Sequence, residues 1–148
     1  ADLDRIVAPV GGGGLLSGAV LSAHHFGRGV VVSGAEPKLA DDARRGLKRG
    51  ERLPPKPPKT IADGLRTALS PLTFGILRDA DTAIDVVSEA QIVDATRLVW
   101  ERMKIVIEPS AAVAIAVALT TAFAGERVGI LVSGGNLDLD TLPWQRPA

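Results

Sequence analysis

Short aliphatic segments alternate with helical patterns along the chain. Segments rich in β-branched residues, each the length of a strand, lie at residues 5–10, 29–35, 82–87 and 127–132. Apolar residues at helical spacing follow the first segment over residues 15–26. The polar run at residues 41–49 follows the second segment and predicts an exposed helix. Strands separated by helices pair in parallel, so the pattern predicts an α/β fold with a mostly parallel sheet flanked by helices.

Two further helices are predicted in the second half of the chain. Ser88 and Gln91 form a capping-box pattern at the start of one of them. Its apolar face consists of Ile92, Ala95, Val99 and Met103. Residues 110–122 (SAAVAIAVALTTA) are apolar on nearly every side, which in a globular protein predicts a helix buried in the middle of the fold.

A proline-rich segment interrupts these patterns at residues 50–60 (GERLPPKPPKT). Its four prolines exclude regular structure, so we expect a surface loop or a link between sub-structures, with a polyproline recognition motif as the less favoured alternative. A chain of 148 residues is long enough for one core, and we expect residues 1–148 to form a single α/β unit.

Composition excludes several classes of function. The 17 Lys and Arg residues balance 17 Asp and Glu residues, so neither nucleic acid nor a membrane surface is an expected partner. There is no cysteine, which excludes disulfides, thiolate metal sites and cysteine nucleophiles. The longest apolar stretch, residues 111–119, is far shorter than the ~20 residues of a membrane span, and no signal-peptide pattern is present. We expect a soluble, cytoplasmic protein.

Four consecutive glycines, Gly11, Gly12, Gly13 and Gly14, follow the first predicted strand and begin the first helix. Backbone N–H groups without side chains can converge there on an anion at the positive end of the helix dipole, so the loop predicts a phosphate site. It matches neither a Walker A motif nor G-x-G-x-x-G, which disfavours a nucleoside triphosphate or a dinucleotide. The alternative is a tight turn without a ligand.

Two other clusters stand at the ends of predicted strands. Ser133, in the segment SGGNLD, offers a hydroxyl that could bond a ring nitrogen without forcing its protonation, although by itself this segment favours a simple turn. Glu36, Asp41 and Asp42 could share a hard cation with the backbone carbonyl of Ala40. Acidic residues before a helix are also ordinary capping residues, and both interpretations can hold together.

Six segments, taken in order, resemble the serine racemase and threonine dehydratase family, which are pyridoxal-phosphate enzymes of the tryptophan-synthase-β fold class. They are PVGGGGL from residue 9, AEP from 35, TIADG from 60, LVWERM from 98, IEPSA from 107 and LVSGGN from 131. The resemblance covers nearly the whole chain, and six segments at family spacing are far more specific than any one of them. It implies the large-domain portion of that fold.

The resemblance also implies roles for particular residues. Residues 11–14 would hold the phosphate of pyridoxal 5'-phosphate, and Ser133 would face its pyridine nitrogen. In the racemase branch, the positions matching Glu36, Ala40 and Asp42 bind a divalent cation, here Mg²⁺ or alternatively Ca²⁺ or Mn²⁺. The segments containing Gly64 and Glu108 lie beside the cofactor in relatives, with no chemical role assigned.

The departure from the family pattern concerns lysine. In the family, the Schiff-base lysine lies in a half that precedes the glycine loop, whereas only ten residues precede it here. No lysine of this chain occupies a matching position, so the sequence predicts no catalytic residue and no turnover by the chain alone. We therefore expect a fragment, a split polypeptide or a truncated chain that works with the missing N-terminal half.

For the intact enzyme, the resemblance implies dehydration and deamination of L-serine or L-threonine, or racemisation of serine, and a homodimer. The choice between racemase and dehydratase stays open at this stage. A non-catalytic module that binds a phosphorylated small molecule through the same loop is the alternative.

Overall fold

The computed structural model describes residues 2–55, 57, 59–120 and 123–145. Four strands and five α-helices alternate along these residues. In chain order they are β1 (Arg5–Pro9), α1 (Gly14–Phe26), β2 (Val31–Pro37), α2 (Asp42–Arg49), α3 (Pro71–Asp79), β3 (Ile84–Val87), α4 (Glu89–Met103), α5 (Pro109–Thr120) and β4 (Val128–Ile130).

The four strands form one parallel sheet in the order β3-β2-β1-β4. Arg5 of β1 lies opposite Val31 of β2 and Val128 of β4. Gly34 of β2 lies opposite Ile84 of β3. Because all pairs in the described residues are parallel, the carboxyl ends of the strands share one edge, where open α/β sheets bind ligands. The predicted α/β class is confirmed.

Both faces of the sheet are covered by helices, which explains the aliphatic strands. Consecutive strand residues point to opposite faces, and Val7 packs into one core cluster whereas Ala8 packs into the other. The first cluster contains residues of α4 and α5, and the second contains residues of α1, α2 and α3. The sheet is therefore the middle layer of three.

Helix α5 lies in the centre of the first cluster. All residues from Pro109 to Val117 are buried. The helix contacts α4 and all four strands, which confirms the buried helix predicted from residues 110–122. Thr121 and Ala122 of that prediction lie outside the described residues.

Several details differ from the sequence predictions. Helix α2 is amphipathic rather than exposed, because Asp42, Ala43 and Gly46 are buried. Met103, expected on the buried face of α4, is 62% exposed because the helix ends there and Lys104 turns away in a left-handed conformation. The last strand is shorter than predicted and ends at Ile130. No helix in the described ranges combines the length and the apolarity that a bilayer crossing requires.

Helix α3 was not predicted from the sequence. Its start carries a clear signal, because Ser70 and Thr73 form a reciprocal capping box and Pro71 occupies the first helical position. The same type of box was correctly predicted at Ser88 and Gln91. The predicted loop at residues 50–60 has no helix or strand where the structure describes it.

Candidate functional site

The glycine loop connects β1 to α1 at the carboxyl edge of the sheet. Gly13 is the N-cap of α1 and has φ +84°, a conformation that side-chain-bearing residues rarely adopt. A Cβ on Gly13 would lie 2.5 Å from Leu69 Cδ2, and one on Gly11 would lie 3.0 Å from the Gly64 carbonyl oxygen. Glycine is therefore required at these positions by backbone conformation and by close packing.

The loop leaves its backbone donors available. Within the described part of the chain, the N–H groups of Gly11, Gly12, Gly13 and Gly14 donate no hydrogen bond to a protein acceptor. Helix α1 has no side-chain cap and no acidic residue in its first turn. Free N–H groups at the positive end of a helix dipole form an anion site, so the geometry suits a phosphate group.

The turn containing Ser133 lies against Glu108, the residue before α5. Gly134 has φ +95°, and a Cβ there would lie 2.6 Å from the Glu108 carboxyl group. A Glu108 carboxylate oxygen accepts the Asn136 N–H at 2.9 Å. Ser133 itself is exposed, two residues beyond Leu131, whose N–H still bonds to Val7. Glu108 thus holds the turn after β4.

A third segment, around Gly64, connects these two turns. The Gly64 N–H donates to Ser110 Oγ at 3.0 Å, at the beginning of α5. A Cβ on Gly64 would lie 3.7 Å from Glu108 Oε1. Gly11 packs on Gly64, Gly64 packs near Glu108, and Glu108 packs on Gly134. The structure therefore brings the glycine loop, the Gly64 segment and the Ser133 turn together at one edge of the sheet.

Glu36 lies near the end of β2, the strand beside β1. It is 2% exposed, and its carboxylate oxygens accept the N–H groups of Ala43 at 3.1 Å and Arg44 at 2.8 Å. Burial raises the pKa of Glu36 to about 8, against the lowering effect of these two bonds, and the charges of Asp42 and Asp41 raise it further. Glu36 therefore caps α2 in addition to any other role.

A family model described as pyridoxal-phosphate dependent enzyme matches residues 1–134. The chain belongs to this family.

The names of several relatives in this family refer to amino acids. The chain is 47% identical over 144 residues to the β-hydroxyaspartate dehydratase of Paracoccus denitrificans, covering 96% of this chain and 46% of that protein. It is 46% identical over 147 residues to the serine racemase of Dictyostelium discoideum, and the match covers 95% of this chain and 45% of that protein. The crystal structure of a T.th. threonine deaminase matches with a TM-score of 0.87 at 41% identity, covering 92% of this chain and 50% of that one.

Two features follow from these comparisons. The expected family and fold are confirmed, and the glycine loop lies at the carboxyl edge of the parallel sheet, where open α/β sheets bind ligands. The chain spans about half the length of the curated relatives it matches. The match covers 46% of the dehydratase and 45% of the racemase named above.

The loop geometry fits the cofactor of the family. Pyridoxal 5'-phosphate carries a phosphate monoester. The four N–H donors at the N-terminus of α1 bond to no acceptor among the described residues, and they suit that group.

The side chains of Lys38, Lys48, Lys59 and Lys104 are exposed, and Lys56 lies outside the described residues.

The predicted metal set is also close together along the chain. Glu36, Ala40 and Asp42 are all buried, at 2%, 4% and 4% exposure, between the end of β2 and the start of α2. Among the residues that the structure describes, no group of three or more His, Cys, Asp or Glu side chains could hold a metal ion. The predicted set contains only two carboxylates and one carbonyl, so the metal stays a prediction.

Sequence reasoning missed two neighbours of the glycine loop. Thr67 Oγ1 would lie 3.2 Å from a Cβ on Gly11, and Thr73 Oγ1 donates to the Gly12 carbonyl at 2.9 Å. The capping-box pattern at Ser70 could have located Thr73 on a helix. Nothing in the sequence indicated that this helix would reach the loop.

Proposed function

We propose that this chain provides the cofactor-phosphate loop and the ring-nitrogen partner of an enzyme that acts on a β-hydroxy amino acid. The reaction would be dehydration and deamination of L-serine or L-threonine, or racemisation of serine. The single observation that carries the proposal is the set of N–H groups at Gly11, Gly12, Gly13 and Gly14, which bond to no acceptor among the described residues and begin a helix without acidic residues in its first turn. The relatives named dehydratase, racemase and deaminase support the substrate class.

The chain's own residues would bind and orient the cofactor. The N–H groups of the glycine loop would hold the phosphate, and the dipole of α1 would favour its negative charge. Bound pyridoxal 5'-phosphate supplies an electron-withdrawing ring for chemistry at the substrate α-carbon. The loop would present these N–H groups to the phosphate in the conformation that the structure describes, with Gly13 at φ +84°.

Ser133 would set the protonation of the ring nitrogen. A neutral hydroxyl can share a hydrogen bond with that nitrogen without stabilising a positive charge, whereas a carboxylate would keep the proton in place. Glu108 would hold the Ser133 turn through Gly134 and the Asn136 N–H, so that the hydroxyl keeps a constant position. In this proposal none of the lysines of this chain supplies the amine for proton abstraction at the substrate.

The binding step is tested with the chain alone. We expect pyridoxal 5'-phosphate and inorganic phosphate to raise the melting temperature in a saturable way, because a ligand of the native state stabilises it. Pyridoxal, which lacks the phosphate, should raise it far less. Equal effects of pyridoxal and its phosphate ester, or no effect of either phosphate compound, would contradict the proposal.

Turnover is tested with the same sample. We expect no release of ammonia from L-serine, L-threonine or β-hydroxyaspartate, and no single lysine labelled in stoichiometric amount after borohydride reduction with the cofactor. Activity of the chain alone, with one lysine labelled, would refute the prediction about lysine. Saturable binding without turnover even after addition of an N-terminal half from a relative would favour the non-catalytic binding module.

We also propose that Glu36, the Ala40 carbonyl and Asp42 hold a divalent cation, with Mg²⁺ the first candidate. Two buried carboxylates and a carbonyl oxygen are hard ligands, and a cation would offset the cost of burying both charges. The Glu36 oxygens keep lone pairs beside the bonds from Ala43 and Arg44. The cation would stabilise the junction between β2 and α2.

Thermal unfolding at pH 8 distinguishes a specific cation site from a general salt effect. Millimolar Mg²⁺ should raise the melting temperature of the wild type, and Glu36→Gln should lose this response because a neutral amide is a weaker ligand. Glu51→Gln removes an exposed carboxylate and should keep it. An equal response of the three proteins would exclude the site.

A further inference from the structure

Thr73 contacts the glycine loop from a helix that lies 61 positions further along the chain. It is the third residue of α3, and its Oγ1 lies 2.9 Å from the Gly12 carbonyl oxygen. A Cβ on Gly13 would lie 2.9 Å from both Cβ and Oγ1 of Thr73. One threonine side chain therefore contacts two successive residues of the loop.

The single proton of the Thr73 hydroxyl has a preferred acceptor. Its oxygen lies 2.9 Å from Gly12 O, 3.1 Å from Ser70 Oγ and 3.3 Å from Ser70 O. The same oxygen accepts the Ser70 N–H at 3.0 Å, which completes the capping box. The shortest contact assigns the proton to the Gly12 carbonyl, so the hydroxyl accepts within α3 and donates to the loop.

This bond fixes the orientation of one peptide group. In a trans peptide, the carbonyl of Gly12 and the N–H of Gly13 point in opposite directions, and the described chain contains no cis peptide bond. With glycine on both sides, this peptide would otherwise rotate with little steric resistance. A carbonyl held toward Thr73 therefore directs the Gly13 N–H away from α3.

We propose that Thr73 is a positioning residue: its hydroxyl holds the Gly12–Gly13 peptide so that the Gly13 N–H donates to the phosphate group bound by the loop. The inference rests on the proposed function, because it requires the loop to bind a phosphate monoester. It adds a residue outside the loop that determines the direction of a donor within it. Thr73 itself does not contact the phosphate in this proposal.

Four proteins separate positioning from helix capping. Thr73→Val keeps the shape of the side chain but removes both the bond to Gly12 and half of the capping box. Thr73→Ser keeps the hydroxyl. Ser70→Ala removes the Oγ that accepts the Thr73 N–H at 3.1 Å but leaves the Thr73 bond to Gly12. Dissociation constants for pyridoxal 5'-phosphate and inorganic phosphate, and urea midpoints, are measured for each variant and the wild type.

We expect Thr73→Val to weaken the binding of both ligands by roughly fivefold, which is the size of effect expected from the loss of one hydrogen bond. Thr73→Ser should bind both ligands like the wild type. Ser70→Ala should lower the urea midpoint about as much as Thr73→Val does, yet change ligand affinity less than twofold. Unchanged affinity in Thr73→Val, or equal loss in Ser70→Ala, would overturn the inference. A wild type that binds neither ligand would instead refute the proposed function.

An NMR titration of the wild type tests the proposal without any variant. In a titration with inorganic phosphate followed by amide NMR, the Gly13 cross-peak should move further than that of Gly75, which lies in the interior of α3. If phosphate shifts other loop amides but not that of Gly13, the loop binds and Thr73 does not position this donor.

Discussion

Replacement of Gly13 by alanine should lower the free energy of unfolding by about 3 kcal/mol and weaken pyridoxal 5'-phosphate binding at least tenfold. Gly13 has φ +84°, where a Cβ costs roughly 1–2 kcal/mol. The added methyl would also lie 2.5 Å from Leu69 Cδ2 and 2.9 Å from Thr73, and such overpacking costs roughly 1–3 kcal/mol. Urea unfolding and ligand titration measure the two effects.

A matched glycine provides the control for this variant. Gly75 lies within α3, and a Cβ there would have no neighbour within 4 Å. Gly75→Ala should therefore keep ligand affinity and raise stability by up to about 1 kcal/mol, because alanine favours the helix. If Gly13→Ala were as stable and bound as tightly as Gly75→Ala, the described loop conformation would be wrong.

The second large effect is a dependence of stability on pH that arises from Glu36. Burial raises its pKa from 4.5 to about 8, so the folded state binds a proton more tightly than the unfolded state does. The contribution of Glu36 to the free energy of unfolding should therefore be fully present below about pH 4.5, decrease as the pH rises to about 8, and level off above that pH. The size of this decrease is on the order of 5 kcal/mol. Urea unfolding at several pH values, with a chelator present, measures it.

Glu36→Gln tests the assignment, because glutamine resembles the neutral acid. This variant should lose most of the slope between pH 5 and 8, whereas Glu51→Gln, which changes an exposed carboxylate, should retain it. A slope that persists in Glu36→Gln would mean that another group titrates. Added Mg²⁺ should reduce the slope of the wild type, because a bound cation favours the ionised carboxylate.

Most of the fold could be predicted because its signals are local. The four strands and helices α1, α2, α4 and α5 were recognised from periodicity and caps, which depend on residues within a few positions of one another. The observed ends of these elements differ from the predicted ends by a few residues, as at β4, which ends at Ile130. Helix α3 was overlooked although Ser70 and Pro71 begin it with equally local signals, so its sequence did contain the information needed to predict it.

The candidate site was predictable only as separate segments. The glycine loop, Glu36 and Ser133 stand out in the sequence because each lies at or just beyond the end of a predicted strand. The contacts that assemble them were not visible there. The Gly64 N–H reaches Ser110 over 46 positions, and the carboxyl group of Glu108 packs on Gly134. These pairs meet because α5 crosses the sheet, which no local pattern specifies.

By itself, the sequence determined the order of the elements, the parallel sheet and the place of the glycine loop, since propensity, capping and glycine content act over a few neighbouring residues. Only the tertiary structure decided that Thr73 bonds to Gly12, that Glu108 holds the turn after Ser133, and that the Glu36 carboxyl group is buried. The physical reason is that packing brings distant residues together, and the removal of water from those contacts sets their hydrogen bonds and charges.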